Sequence, residues 1–342
     1  MRVAVYYNNH DIRIEERPVP KIDKGEILIR IEASGICGSD VMEWYRIKKA
    51  PLVLGHEIAG EIVAVGDGVT HYKVGDRVSA AHHVPCNICY YCLKGHHTIC
   101  DTLRKTNFDP GGFAEYVRLP SINVDRGVFL LPHEVSYEEA TFIEPLACVL
   151  RGQKKAGIEP GESVLVIGSG ISGLLHIQLA CALGAGLIAA TDISEYRLNA
   201  AKRFGANLAI HAEDDVPSLL RKANNGRLAD LVIVCTGATK AFIQALQSAE
   251  RNGTVLFFAP TENGVTIPIS VNDLFWRNDI TLTTSYAGSP SDHMVALELI
   301  KSHRVNVLEM ITHRLGLSET GTGIGLVANS RDCIKVIIEP KR

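Results

Sequence analysis

Apolar positions along the chain change their period twice. The opening stretch, MRVAVYYNNHDIRIEERPVP, alternates apolar and polar side chains, as a first strand and its hairpin partner do. EILIRIEA, EIAGEIVAVG, DRVSAA and FAEYVRLP repeat that two-residue period within the first 150 positions. Gly66-Asp67-Gly68 and Lys73-Val74-Gly75-Asp76 lie between these runs and supply turn chemistry. Short strands punctuated in this way predict a mainly β, partly closed barrel-like domain.

The pattern turns helical near residue 137. YEEATFIEPLACVLRGQKKAG spaces its apolar residues as one helix and stops at Gly157 and Pro160. From Ser163 onward, SVLVIG, LIAATD, ANLAIH, ADLVIVCTG, GTVLFFAP and ITLTTSY are short apolar runs, most of them separated by amphipathic stretches. Fully apolar strands alternating with helices predict a doubly wound parallel sheet covered on both faces. The α/β organisation expected is therefore a β-barrel domain over 1–150 and a parallel-sheet domain over 151–288. The tail 289–342, with HMVALELIKSH and CIKVIIEP, returns to the first domain or else continues the second. A chain of 342 residues is too long for one compact core and suits two.

Composition narrows the class of function. Apolar residues make up 46% and charged residues 21%, with a net charge of −3, so neither nucleic acid nor an anionic membrane is an expected partner. The N-terminus lacks the basic-then-apolar layout of a secretion signal, and no apolar run approaches the roughly 18 residues that cross a bilayer. Nine cysteines, four of them within fifteen residues, argue against a disulfide framework and for metal-bound thiolates in a reducing, cytoplasmic setting.

Gly168-Ser169-Gly170-Ile171-Ser172-Gly173 follows the run SVLVI and opens an apolar helix, the context that a G-x-G-x-x-G motif needs to bind a dinucleotide. Gly168 permits the tight turn, Gly170 lets backbone amides approach a pyrophosphate, and Gly173 lets helix and strand pack closely. Asp192 ends the next strand, where a carboxylate accepts from ribose hydroxyls and repels a 2′-phosphate. NAD is expected over NADP, with Arg197 the nearby cation that weakens the preference.

Cys86, Cys89, Cys92 and Cys100 place four thiols in one loop, a set that suits a closed structural zinc site, with an iron–sulfur cluster as the competing use. Cys37 follows the strand EILIRIEA, His56-Glu57 follows in Leu-Gly-His-Glu, and Glu144 stands in Ile-Glu-Pro-Leu. Cys, His and a carboxylate can make an open zinc site that keeps a position for water or substrate.

These motifs, in this order, resemble the zinc-containing medium-chain dehydrogenase/reductase superfamily over essentially the whole chain. The resemblance rests on Gly-Ile-Cys-Gly-Ser-Asp, Gly-His-Glu, the four-cysteine lobe, Gly-Gly-Phe-Ala-Glu-Tyr, Ile-Glu-Pro-Leu and Gly-Ser-Gly-Ile-Ser-Gly. It is nearest to the sorbitol (polyol) dehydrogenase branch, with threonine dehydrogenases nearby. It implies a GroES-like β-barrel catalytic domain, a Rossmann coenzyme domain, an active site between them, and a homodimer or homotetramer. It makes Cys37 and His56 ligands of a catalytic zinc and Glu57 a third ligand. Glu144 stands where relatives bind zinc directly or through water, so the two glutamates are expected to exchange roles. The nucleotide contacts are expected to include Ile171, Ser172, Thr236 and Ser285.

The activity implied is hydride transfer from a small secondary alcohol to NAD, with Ser39 hydrogen-bonding the alcohol oxygen and passing its proton on. One position departs from the family. The relay histidine usual five residues after the zinc cysteine is Met42, with Glu43, Asp40 or water left to move the proton. A glutamate at the pocket, Glu43, suits hydroxyls or an amine, so a polyol, cyclitol or amino-sugar-like substrate is expected. Ser285 replaces an arginine that helps bind polyol hydroxyls in the sorbitol branch, and Tyr286 stands at a substrate-facing aromatic position. The rival readings are an amino-alcohol dehydrogenase of the threonine type and a nucleotide-binding sensor without turnover.

Overall fold

The computed structural model describes residues 1–329 and 332–342. The chain divides into two compact units, Met1–Ala147 with Ala287–Arg342, and Cys148–Tyr286.

The first unit is built on antiparallel pairing. Strand Ile27–Gly35 lies at the centre of a seven-stranded sheet, paired with Glu57–Val65, Tyr116–Leu119 and Lys335–Glu339. The first hairpin, Arg2–Asn8 with Asp11–Glu16, joins Leu52–Val53 in a smaller sheet. Alternation along these strands turns Val3, Val5, Ile27, Ile29, Ile31, Ile58, Ile62 and Val78 into one apolar core. The segment Lys335–Glu339 is the terminal run of the chain, and its antiparallel register, Ile337 opposite Gly35, brings Lys335 to the end of the central strand.

The second unit is a six-stranded parallel sheet. Its order is Leu208–His211, Leu187–Asp192, Ser163–Ile167, Ala229–Val234, Ala249–Phe257 and Thr281–Thr284. In chain order that is 3-2-1-4-5-6, the arrangement of a dinucleotide-binding sheet. All five residues of Ser163–Ile167 are buried, which is why that run shows no alternation.

The helical run after residue 136 is two helices rather than the single one its spacing predicts. Ser136 and Glu139 cap each other's backbone amides, starting Tyr137–Ala140. The next helix is Ile143–Ala156. Pro145 explains the break. In a continuous helix its ring would meet the carbonyl of residue 141, whereas in the first turn of a new helix its missing N–H costs no bond.

Candidate functional site

Three side chains with metal-ligating atoms meet at the end of the central strand of the first unit. Cys37 lies two residues beyond Ile27–Gly35, and Glu57 is the first residue of the neighbouring strand, directly opposite Gly35. His56 precedes it. The ligand atoms of Cys37, His56 and Glu57 all lie within 4.8 Å of one another. Glu144 is buried in the first turn of Ile143–Ala156, in the same unit but outside that three-residue set.

The surrounding side chains make the cluster electrostatically specific. Asp40 is fully buried, accepts from the Cys37 backbone amide at 3.0 Å, and lies 3.4 Å from His56 Nδ1. A carboxylate on the second ring nitrogen fixes the imidazole tautomer and leaves the other nitrogen for a metal. Burial alone would raise the Asp40 pKa, but the His56 ring, Arg46 and the Cys37 amide together hold it below the ordinary value. Burial likewise opposes charge on His56, yet the Asp40 carboxylate and the Cys37 sulfur push its pKa well above that of a free histidine. The pocket thus favours positive charge where a divalent cation would sit, and its soft thiolate, imidazole and carboxylate suit zinc.

Glu57 is 1% exposed and forms an ion pair with Lys335, which is 0% exposed. Lys335 Nζ also donates to the Ile36 carbonyl at 3.3 Å and lies 5.4 Å from the centre of the Phe142 ring. A Cβ on Gly35 would overlap the Glu57 carboxylate and the end of Lys335, so any larger residue there would have to displace the ends of this ion pair. Ser39 donates its backbone amide and its hydroxyl to Cys37 Sγ, each at 3.5 Å. The His82 ring lies 4.7 Å from that of His56 and 3.8 Å from that of His83. Burial pushes His83 down to about 4 despite the Thr106 carbonyl, which faces its Nδ1 at 2.8 Å and favours the charged form, so it stays neutral.

Sequence reasoning missed Arg46, Lys335 and the two histidines 82 and 83, and it gave Asp40 no role in holding His56. Lys335 did leave a signal, because a lysine inside the apolar run CIKVIIE has to be paired if it is buried. Glu43 accepts from the Asn9 backbone amide of the first hairpin at 3.3 Å.

The four-cysteine loop folds into a second cluster. The sulfurs of Cys86, Cys89, Cys92 and Cys100 all lie within 4.8 Å of one another. Cys86 is 3.6 Å from Cys100 and 4.0 Å from Cys92. A tetrahedron with Zn–S bonds of about 2.3 Å has S···S edges of about 3.8 Å, so the spacing fits zinc. Burial pushes the Cys92 thiol up to about 12. At Cys100, burial is outweighed by hydrogen bonds from the Cys86 and Leu103 backbones, which bring the thiol down to about 6.

The glycine loop of the second unit links Ser163–Ile167 to helix Ile171–Ala182. Gly168 adopts φ +93°, and Thr236 lies against it. A Cβ on Gly173 would overlap the Gly168 carbonyl oxygen. A Cβ on Gly170, by contrast, would meet nothing within 4 Å, so open space lies before the helix N-terminus, where a pyrophosphate would fit. Asp192 accepts from the Ser169 amide at 2.8 Å and the Ser194 amide at 2.9 Å, which ties the loop to the next strand. Ile171 and Ser172 form the half-buried first turn of the helix, and Arg197 lies in the first turn of Glu195–Arg203. Ser285 is half-buried, its Oγ has no hydrogen-bond partner among the described residues, and Tyr286 is 48% exposed. Among the described residues no helix is long and apolar enough to cross a membrane.

Residues 23–127 match the alcohol dehydrogenase GroES-like domain family and residues 172–302 the zinc-binding dehydrogenase family. Sorbitol dehydrogenase of Bacillus subtilis (strain 168) is 33% identical over 100% of this chain and 98% of its own length. L-threonine 3-dehydrogenase of the same organism is 34% identical over 96% and 94%. A solved zinc-binding dehydrogenase from Sinorhizobium meliloti 1021, bound to NADP, superposes with a TM-score of 0.88 at 26% identity, covering 99% of each chain.

Proposed function

The chain belongs to the zinc-containing medium-chain dehydrogenase/reductase superfamily, on its sorbitol dehydrogenase side, and from that premise we propose that it oxidises a secondary alcohol of a polyol, cyclitol or sugar-derived substrate with NAD. The observation that carries this reading is the convergence of Cys37, His56 and Glu57 within ligand distance of one another, with the Ser39 hydroxyl on the same sulfur. These three residues, with Glu144 as an alternative carboxylate, would hold zinc. Once bound, zinc supplies Lewis acidity to the alcohol, and NAD takes up the hydride.

The chain's own groups set the rest. Asp40 orients His56 through Nδ1. Lys335 neutralises part of the Glu57 charge and fixes its direction, which leaves the carboxylate free to swing only if that ion pair breaks. Ser39 would hydrogen-bond the alcohol oxygen, take up its proton and pass its own on. Gly168, Gly170, Ile171, Ser172, Gly173, Asp192, Arg197, Thr236 and Ser285 are the proposed nucleotide residues. The engaged but acidic Asp192 supports NAD over NADP. Cys86, Cys89, Cys92 and Cys100 would hold a second zinc with no open position. A four-cysteine cluster suited to metal-bound thiolates supports a reducing, cytoplasmic setting, and the family supports a homodimer or homotetramer.

The test is NADH formation at 340 nm across polyols, inositols, sugars, threonine and simple primary alcohols. The expected outcome is highest kcat/KM on a polyhydroxylated substrate and two zincs per chain by metal analysis. Threonine as the best substrate would establish the amino-alcohol reading instead. Zinc in the lobe alone, with no turnover, would leave a nucleotide-binding protein.

A further inference from the structure

Ser39 has a neighbour that can give hydrogen bonds but never receive one. Arg46 closes the short helix Glu43–Arg46 and turns its guanidinium back over the Gly38–Val41 turn. It donates from Nε to the Ser39 carbonyl at 2.9 Å, and from Nη2 to Ser39 Oγ at 3.0 Å and Asp40 Oδ1 at 3.3 Å. Its side chain is 15% exposed, so water competes little for these bonds. A serine hydroxyl has one proton and two lone pairs. Arg46 occupies one lone pair. A guanidinium has no acceptor and stays protonated at any working pH, so the Ser39 proton cannot turn toward it.

We propose that Arg46 is a positioning residue for Ser39. By filling one lone pair it leaves the hydroxyl one lone pair to accept from the substrate alcohol and one proton to give, to Cys37 Sγ at rest and to water when the alcohol's proton is taken up. The planar fork also fixes the Ser39 backbone through its carbonyl, so the hydroxyl's origin and its direction are set by the same group. The proposal rests on the reading of Ser39 as the residue that hydrogen-bonds the alcohol. Met42 and Glu43 do not provide this orientation. A thioether is at most a weak acceptor, and Glu43 is held by the Asn9 amide.

The test is a double-mutant cycle in the full-length, zinc-loaded protein, with sorbitol and NAD or the panel alcohol turned over fastest. Arg46→Lys is the informative variant, because it keeps a cation beside Asp40 but loses the fork. Arg46→Lys is expected to lower kcat roughly 10- to 100-fold, as misplacement of a reacting group does, with KM within about twofold. In a Ser39→Ala background the same change is expected to cost nothing more. A chromogenic chelator competing for zinc gives a readout independent of turnover, and its competition curve is expected to match the parent's. An equal loss with and without Ser39, or a weakened hold on zinc that tracks the loss of kcat, would overturn the proposal and make Arg46 a support for Asp40. Parental kcat in Ser39→Ala alone would instead refute the reading of Ser39, a result the cycle reports separately.

Discussion

Lys335 is the residue whose loss the structure prices most directly. Lys335→Met keeps most of the apolar stem but loses the ammonium that pairs with Glu57 and faces the Phe142 ring, and so strands the Glu57 carboxylate, which is 1% exposed, without its partner. Breaking a buried ion pair from one side costs about 3–5 kcal/mol, chiefly because the remaining charge is left uncompensated. Each kcal/mol lowers Tm by about 2–4 °C in a unit of 150–250 residues, so the expected fall is roughly 6–20 °C in the zinc-free protein. Glu57→Gln added to Lys335→Met removes the stranded charge and is expected to recover most of that loss. Zinc should recover part of it as well. The carboxylate faces the Cys37–His56 set, so a bound cation takes over the compensating role of the ammonium. Calorimetry of the single and double variants, with and without zinc, decides the matter. A Lys335→Met variant within about 2 °C of the parent without zinc, or a double variant less stable than the single, would refute the argument that Lys335 serves to neutralise Glu57.

Three further outcomes follow from geometry already described. Gly170→Ala adds a methyl to open space and Gly173→Ala adds one against the Gly168 carbonyl. The first should leave Tm unchanged while weakening NAD binding about tenfold or more, and the second should lower Tm, as calorimetry and titration of NAD will distinguish. Asp192→Ala removes the carboxylate that accepts from Ser169 and Ser194, so the ratio of kcat/KM for NAD over NADP should fall at least tenfold, and an unchanged ratio would show that Asp192 does not select the cofactor. In the metal-free lobe Cys100 titrates near 6, so it is already a thiolate above that pH and a thiol below it. Zinc binding should therefore release about one proton more at pH 5 than at pH 7.5, measured by titration calorimetry in buffers of different ionisation enthalpy.

The sequence was most informative where one residue type can do only one thing. Gly168, Gly170 and Gly173 were legible because a turn, an open approach and a close packing each exclude a side chain, and the structure shows three different surroundings at those three positions. The four cysteines were legible for a similar reason, since closely spaced thiols have few joint uses. The helix break at residues 141–142 escaped because periodicity counts apolar positions and gives no weight to the ring of Pro145. The electrostatics of the candidate metal site escaped for a deeper reason. Arg46, Asp40 and Lys335 act through partners that are distant in sequence or set by a turn: the 38–46 turn and helix bring Arg46 to Asp40, and strand register brings Lys335 to Glu57.

That difference bears on the departure at Met42. Read as a string, the chain has lost a histidine and offers Glu43 beside the gap. In the fold Glu43 faces the Asn9 amide, and the group on Ser39 is a permanent cation three residues further on. A histidine can hand a proton onward, whereas an arginine can only fix the direction in which a hydroxyl points. With Asp40 taken by the Cys37 amide, His56 Nδ1 and Arg46, and Glu43 engaged by Asn9, water is the carrier that fits these side chains for the proton taken up at Ser39. A proton carried by water does not wait on the ionisation of a relay histidine. The kcat of this chain is accordingly expected to change little between pH 6 and 7, where a histidine of ordinary pKa would titrate. A pH–rate profile with a step in kcat of tenfold or more across that interval would show that a titrating relay group has been overlooked.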